Sequence, residues 1–271
     1  MRHWLLIGLL AFFYQVPANA QLTAPGSAGS TGLMTGGVGA SVQHTSSLFA
    51  NPAGIASLTQ KAITLQAENR FLLSALNTVQ AGLLLPTSSG SFGLRLSHFG
   101  PNEYNEQRAA LVYGRALSPV WSLGGSIHLQ QQRIPEYGNR TQINVSVGLQ
   151  VQLLPTLLLG AFVHNPIRQE VVAEDEFSAT LVALGVRYQP SEQVALYAEV
   201  DKDIDFPARF KAGVDYQLGD FLQLRTGVRT DPVTFSFGIG VPLGDHLLID
   251  IGAWQHQQLG TSPLFNLTYS W

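Results

Sequence analysis

The sequence predicts a transmembrane antiparallel β-barrel of about 14 strands, preceded by a short N-terminal hatch segment. Three observations carry this reading. Charged residues make up 12% of the chain and hydrophobic residues 45%, whereas soluble domains carry roughly 25% charge. No run reaches the roughly 18 consecutive apolar residues of a membrane-spanning helix. Apolar residues instead recur at every second position, in segments about 9 to 12 residues long, the length a tilted strand needs to cross a bilayer.

The first 20 residues, MRHWLLIGLLAFFYQVPANA, combine a basic start, a short apolar core and the small-x-small end Ala18-Asn19-Ala20. That pattern predicts a signal peptide (1–20) cut before Gln21, hence export. The chain has no cysteine, so neither a lipid-anchored cysteine nor a disulfide framework is expected. A net charge of -3 without a Lys/Arg cluster argues against a nucleic-acid partner.

Residues 21–59 do not alternate. They hold a glycine-rich run, GSAGSTGLMTGGVGASV, and then QHTSSLFANPAGIASL. The glycines lack the GK[ST] of a phosphate loop. Ser46 or Ser47 is placed to cap a helical turn through Phe49, and Asn51-Pro52 to start a turn. Leu48, Phe49, Ile55 and Leu58 are too apolar for water and too few to fold alone. The barrel lumen is the place for them.

From residue 60 to 271 the chain reads as barrel. Strands are expected near 61–69, 77–85, 91–99, 107–117, 121–132, 141–153, 157–165, 177–188, 193–201, 208–217, 221–230, 233–241, 246–256 and 263–271. VTFSFGIGV is the clearest: Val233, Phe235, Phe237, Ile239 and Val241 alternate with Thr, Ser and Gly. The segment 107–117 alternates least well. Every second connection is tight (TSSG, SPV, PT, PSEQ, GD, GD), and those between are mostly longer and more polar, with RTDP a short exception. Short turns on one rim and longer loops on the other are the barrel pattern, the short ones periplasmic. The final strand puts Phe265, Leu267, Tyr269 and Trp271 on one face and ends on the aromatic, which reads as the signal presented to the barrel-assembly machinery and as part of an interfacial girdle.

If the apolar face meets outer-membrane lipid, the opposite face lines the lumen. It would carry Arg95, His128, Arg187, Glu199, Asp201, Arg209, Lys211, Asp215, Arg225, Arg229 and Asp250. Mixed signs predict paired charges that bridge the wall and hold the hatch, since unpaired charges away from water are costly; a selectivity lining is the alternative. Asp201, Asp203 and Asp205 alternate in DKDID, but Phe206 and Ala212 stand where a calcium loop needs Gly and Glu. No serine-centred motif accompanies His98 or His128. No metal, cofactor or enzymatic activity is expected.

GGVGASVQHTSSLFANPAGIASL resembles the N-terminal signature of the PorV/PorQ family, within the wider FadL-like outer-membrane barrels. The matching residues are Gly36, Gly37, Gly39, Ala40, Asn51, Pro52, Ala53 and Gly54. The resemblance implies a fourteen-stranded barrel of the bacterial outer membrane whose hatch folds into the lumen. It also implies a shuttle or attachment role in type IX secretion, with secretion-system proteins or exported cargo as partners. The loops are short beside those of FadL transporters, which build a lipid-capture site from long ones. A FadL-like passive channel for small hydrophobic solutes is the alternative.

Overall fold

The structure is a computed structural model describing residues 28–102, 104–134, 138–166 and 179–271. The signal-peptide expectation, 1–20, lies outside the described residues. Fourteen strands form one closed barrel in simple up-and-down order, each paired with its sequence neighbours, with the last closing on the first. They are β1 (Ala62–Asn69), β2 (Asn77–Thr87), β3 (Gly90–Phe99), β4 (Asn105–Ala116), β5 (Trp121–Ile134), β6 (Gly138–Leu154), β7 (Leu157–His164), β8 (Leu181–Ser191), β9 (Val194–Asp203), β10 (Arg209–Leu218), β11 (Leu222–Arg229), β12 (Thr234–Leu243), β13 (Leu247–His256) and β14 (Gly260–Ser270). Closure leaves no free sheet edge, the condition for strands to stand in lipid.

The outer surface is apolar in level rings. Leu94, Leu111 and Ile127 are register partners in turn, as are Ile239, Ile251 and Phe265. All six are exposed. In water such a surface would drive aggregation; in a bilayer it is the solvated face. Aromatics cluster at the rim of short turns, where Trp121, Tyr188, Phe221, Tyr269 and Trp271 lie outward. Tyr269 and Trp271 stack at 5.8 Å, and Trp271 seals the barrel seam through reciprocal backbone bonds with Lys61. Among the described residues no helix is long and apolar enough to cross a membrane.

Two local expectations change, and the weakest one holds. The segment 107–117, weak in alternation, is a regular strand fully paired to both neighbours. Its small residues Ala109 and Ala110 hide the period in the sequence but fit either face. The last strand begins at Gly260 rather than 263, so QQLGTSP is mostly strand and the connection is only 257–259. Ser262 there points inward, fully buried. β8 begins at Leu181 rather than 177.

Inside the barrel lies the segment that precedes β1. Residues 28–57 form a short α1 (Gly29–Met34) and two 3-10 turns, Thr45–Phe49 and Pro52–Ser57. Most of their side chains are buried, with Met34, Ala40, Phe49, Asn51, Ala53 and Ile55 wholly so. The cap of the first turn is His44, not Ser46 or Ser47: its ring accepts from the Ser46 amide.

A lipid-facing exterior predicts a depth-dependent response to charge. Leu111→Arg, at the middle of β4, should cost about 2–4 kcal/mol of barrel stability, and Gln107→Arg near its outer end no more than about 1. Urea transitions of the refolded barrel in lipid vesicles measure both; equal small costs would mean that this face meets water.

Candidate functional site

The site is the sealed contact between hatch and inner wall. The hatch runs around the lumen, and at many points where its backbone crosses the wall the strand presents glycine. Added Cβ atoms show how close the approach is. On Gly114 one would stand 2.6 Å from the Pro52 carbonyl oxygen, and on Gly238 one would overlap Met34. Gly124 abuts Pro52, Gly148 the Asn51 side chain, Gly160 the Ala40 carbonyl, Gly213 the Thr35 carbonyl and Gly227 the Gly36 amide. Several are register partners: Gly114 with Gly124, Gly124 with Gly148, Gly160 with Gly185, Gly213 with Gly227, Gly238 with Gly252. Together they make a belt of bare backbone on which the hatch lies.

The Asn-Pro-Ala-Gly motif has a physical account. Asn51 Oδ1 accepts from the Ala53 amide and caps the turn Pro52–Ser57, and Pro52 fills its first position, where no N–H is needed. Asn51 Nδ2 meets the carbonyls of Ala40 (2.7 Å), Ala161 (3.2 Å) and Leu149 (3.3 Å), tying hatch to β6 and β7. Ala53 and Gly54 are small because the hatch folds back on itself there: a Cβ on Gly54 would stand 2.6 Å from Ser47 Cβ. Gly36 and Gly37 take φ of 80° and 82°, which L side chains adopt only under strain. Gly39 lies against Ala50.

Buried hatch backbone needs hydrogen-bond partners, and wall side chains supply them. Glu199 Oε2 accepts from the amides of both Gly39 and Ala40 at 2.7 Å, while Oε1 accepts from Lys211 Nζ at 2.8 Å. Lys211 also donates to the Gly37 carbonyl (2.8 Å), Arg95 to the Phe49 carbonyl (3.0 Å) and Arg187 to Gln43 (2.8 Å). Arg95 further lies over the Phe49 ring, 5.7 Å from its centre. Four of the sequence-derived lumen charges therefore touch the hatch directly. Burial, with the Arg225 and Arg187 charges behind it, pushes the His44 imidazole down to about 3, so it stays neutral and accepts from Ser46.

The remaining charges brace the wall. Arg209 and Lys211 share Asp201, at 2.8 and 3.1 Å. Arg225 joins Asp215 (3.0 Å) to fully buried Asp250, which also accepts from Asn266 at 2.6 Å. Arg229 lies over the Trp254 ring, 5.8 Å from its centre. In DKDID, Asp201 is neutralised by these cations and Asp203 Oδ1 accepts from the Asp205 amide. Among the described residues no group of three His, Cys, Asp or Glu could hold a metal.

Sequence reasoning missed several contributors. His128 has serines after all: its Nε2 lies 2.8 Å from Ser126 Oγ and 3.0 Å from Ser146 Oγ, and Ser146 reaches His164 at 2.8 Å. Ser126 is two residues away on the same face and Ser146 lies across the ladder, a pairing that register alone reveals. Gln150 donates to the Ala40 and Val42 carbonyls, and Ser236 bridges the Met34 carbonyl and Gly36 amide. Near the outer rim, Glu106 accepts from Arg108, Tyr104 and Gln132. Two small cavities of about 10 Å³, each with room for about one water, flank Leu33 of the hatch.

No family model and no curated protein matches the chain. Solved structures do. A toluene transporter of Pseudomonas putida, TodX, superposes with a TM-score of 0.69 at 11% identity, covering 93% of this chain and 99% of that one. The Ralstonia pickettii toluene transporter TbuX gives 0.67 at 11%, over 89% and 97%. A Pseudomonas aeruginosa FadL homologue gives 0.64 at 14%, over 91% and 98%. The chain shares the barrel fold of these structures. Identity this low carries the fold alone, and both chains are spanned almost end to end.

Arg225→Ala should cost about 3–5 kcal/mol, because it leaves Asp250 buried without its cation. Heat-modifiable gel migration should be lost at lower temperature, with Arg225→Lys intermediate. No shift would remove the bracing role.

Proposed function

We propose that this protein is an outer-membrane channel of the FadL-like kind, a passive route for small hydrophobic solutes held shut by its N-terminal hatch. The observation that carries this reading is the way the hatch is held: by hydrogen bonds and close contact on glycine, with no cross-link beyond its own continuation into β1. Such a seal can be displaced without unfolding the wall, whose ladders and whose Arg209–Asp201 and Arg225–Asp215–Asp250 ion pairs do not involve it. Its likeness over nearly full length to barrels described as toluene transporters supports a transport role and the apolar solute class. The closed barrel, its apolar exterior and the C-terminal strand with Phe265, Leu267, Tyr269 and Trp271 support insertion into the outer membrane by the barrel-assembly machinery.

A second reading is favoured by a specific observation. The hatch occupies the lumen, and the rim of longer loops presents exposed Leu72, Leu73, Ile204 and Leu259. A hatch-occupied barrel with an apolar rim suits a shuttle or attachment component of type IX secretion, as the resemblance to PorV/PorQ proteins implies.

Planar-bilayer recordings separate the two. Deleting residues 36–58, or Glu199→Ala, which orphans two hatch amides and removes one of the two carboxylates paired with Lys211, should raise single-channel conductance well above that of the native barrel. Unchanged conductance in both would sink the channel reading. Secretion components recovered in stoichiometric amount from native envelopes would then favour the second.

A further inference from the structure

The loop 70–76 joins β1 to β2 on the rim of longer loops. It splits an apolar run. Leu72 and Leu73 face outward, 69% and 53% exposed, while Phe71 turns into the barrel mouth. That turn needs left-handed backbone at two consecutive non-glycine residues, with φ of 57° at Phe71 and 58° at Leu72. Side chains avoid this region because Cβ crowds the following carbonyl. Strain of this kind survives only where the surroundings hold it, and it gathers at ligand clamps and switches.

The surroundings are specific. The Phe71 ring meets Trp254 edge-on, centres 5.3 Å apart at 79°, and His256 at 5.9 Å. It packs with Leu33 against the buried cluster of Met34, Trp254 and Leu264. Its backbone N–H donates to Ser262 Oγ at 2.9 Å. The cup is itself fixed without Phe71: Trp254 Nε1 donates to Glu68 at 2.9 Å, and Arg229 covers its ring. Leu33, at its floor, lies between the two small cavities. A strained side chain from an exposed loop thus fills a rigid cup built from β13, β14 and the first helix of the hatch.

We infer that this cup is a ligand site and that Phe71 is its resident occupant in the closed state. The ligand class follows from what Phe71 presents: one flat apolar ring with a hydrogen-bond donor a few bonds away. The ring keeps the edge-to-face contact with Trp254, and the donor reaches Ser262 Oγ. A saturated chain offers no such edge-to-face contact. Ligand entry moves the loop 70–76 outward, relaxes Phe71 and Leu72, and lifts the contact on Leu33 at the outer end of the hatch. This assignment rests on the channel reading above.

The test is equilibrium dialysis of N-acetylphenylalaninamide against the full barrel in mild detergent, with N-acetylleucinamide as the saturated control. An internal competitor lowers apparent affinity by the fraction of time the site is free, so Phe71→Ala should bind the aromatic probe about tenfold more tightly than the native chain. Trp254→Leu added to Phe71→Ala should abolish the gain, and Leu72→Ala, on the same loop, should leave native affinity. Equal affinity in native and Phe71→Ala barrels, no binding to either, or an equal gain for the leucine probe would overturn the assignment. Should Phe71→Ala give no heat-modifiable band, Phe71→Leu carries the same comparison. The hatch recordings stand apart from this result. A tenfold gap with silent hatch variants keeps the cup as a ligand site off any transport route; conducting hatch variants with no gap remove the cup and leave the channel.

Discussion

The structure depends on one constraint: a stretch of about thirty residues has been drawn out of water into a closed barrel, and its backbone must find partners there. An unpaired buried amide or carbonyl costs about as much as a lost hydrogen bond, on the order of 1–3 kcal/mol. The hatch has too little regular structure to satisfy itself. The wall therefore supplies the partners, residue by residue: Glu199 for two consecutive amides, Gln150 for two carbonyls, Ser236 for one of each kind. Remove the hatch and these inward side chains have no structural reason to stand where they do.

The same constraint explains the composition. Charge is scarce because the outer face must be apolar, and what charge exists is turned inward and paired. Glycine is abundant because a wall that must come within hydrogen-bonding reach of another backbone cannot carry side chains at the crossing points. Glycine weakens a strand by loss of entropy and packing. Here each strand is hydrogen-bonded on both edges, and the hatch restores the packing that the missing side chains would have provided.

Much of the fold was legible because lipid imposes period two on every strand and a closed barrel imposes nearest-neighbour order. Fourteen strands and their faces follow from that alone. The weak segment, 107–117, was obscured by Ala109 and Ala110, which carry little hydropathy either way. The hatch announced itself by failing to alternate, and its Asn-Pro-Ala-Gly motif by turn chemistry. What the motif touches was not legible, because Asn51 bonds to carbonyls whose residue types are irrelevant. The glycine belt was visible as excess and as inward alternation at Gly148, Gly213 and Gly238, yet nothing in one strand says which segment will cross it. His164 and Ser146 were hidden for a related reason: their partnership with His128 exists only across the ladder. Phe71 was the least readable, since a left-handed phenylalanine leaves no trace in residue type.

How the hatch is held bears on whether it can move. A segment buried by apolar area alone would lose that stabilisation wholly on entering water. One held by hydrogen bonds exchanges them for bonds to water, so each is worth only about 0.5–1.5 kcal/mol net. Its apolar anchors are small and scattered around the wall: Leu48, Phe49 and Ile55 on β1, β2 and β4, Ala40 on β7 and β8, Val38 and Val42 beside Tyr197, and Met34 beside Trp254. The glycine belt adds contact without interlocking, because a bare backbone offers no knob to hold a sliding segment. The wall meanwhile keeps its own ion pairs, Arg209 with Asp201 and Arg225 with Asp215 and Asp250, whether or not the hatch is in place. Stability of the barrel and retention of the hatch are thus assigned to different side chains, with Lys211 and Glu199 common to both. That separation is what a displaceable seal requires, and it makes Glu199 the residue where loosening the hatch and weakening the wall meet.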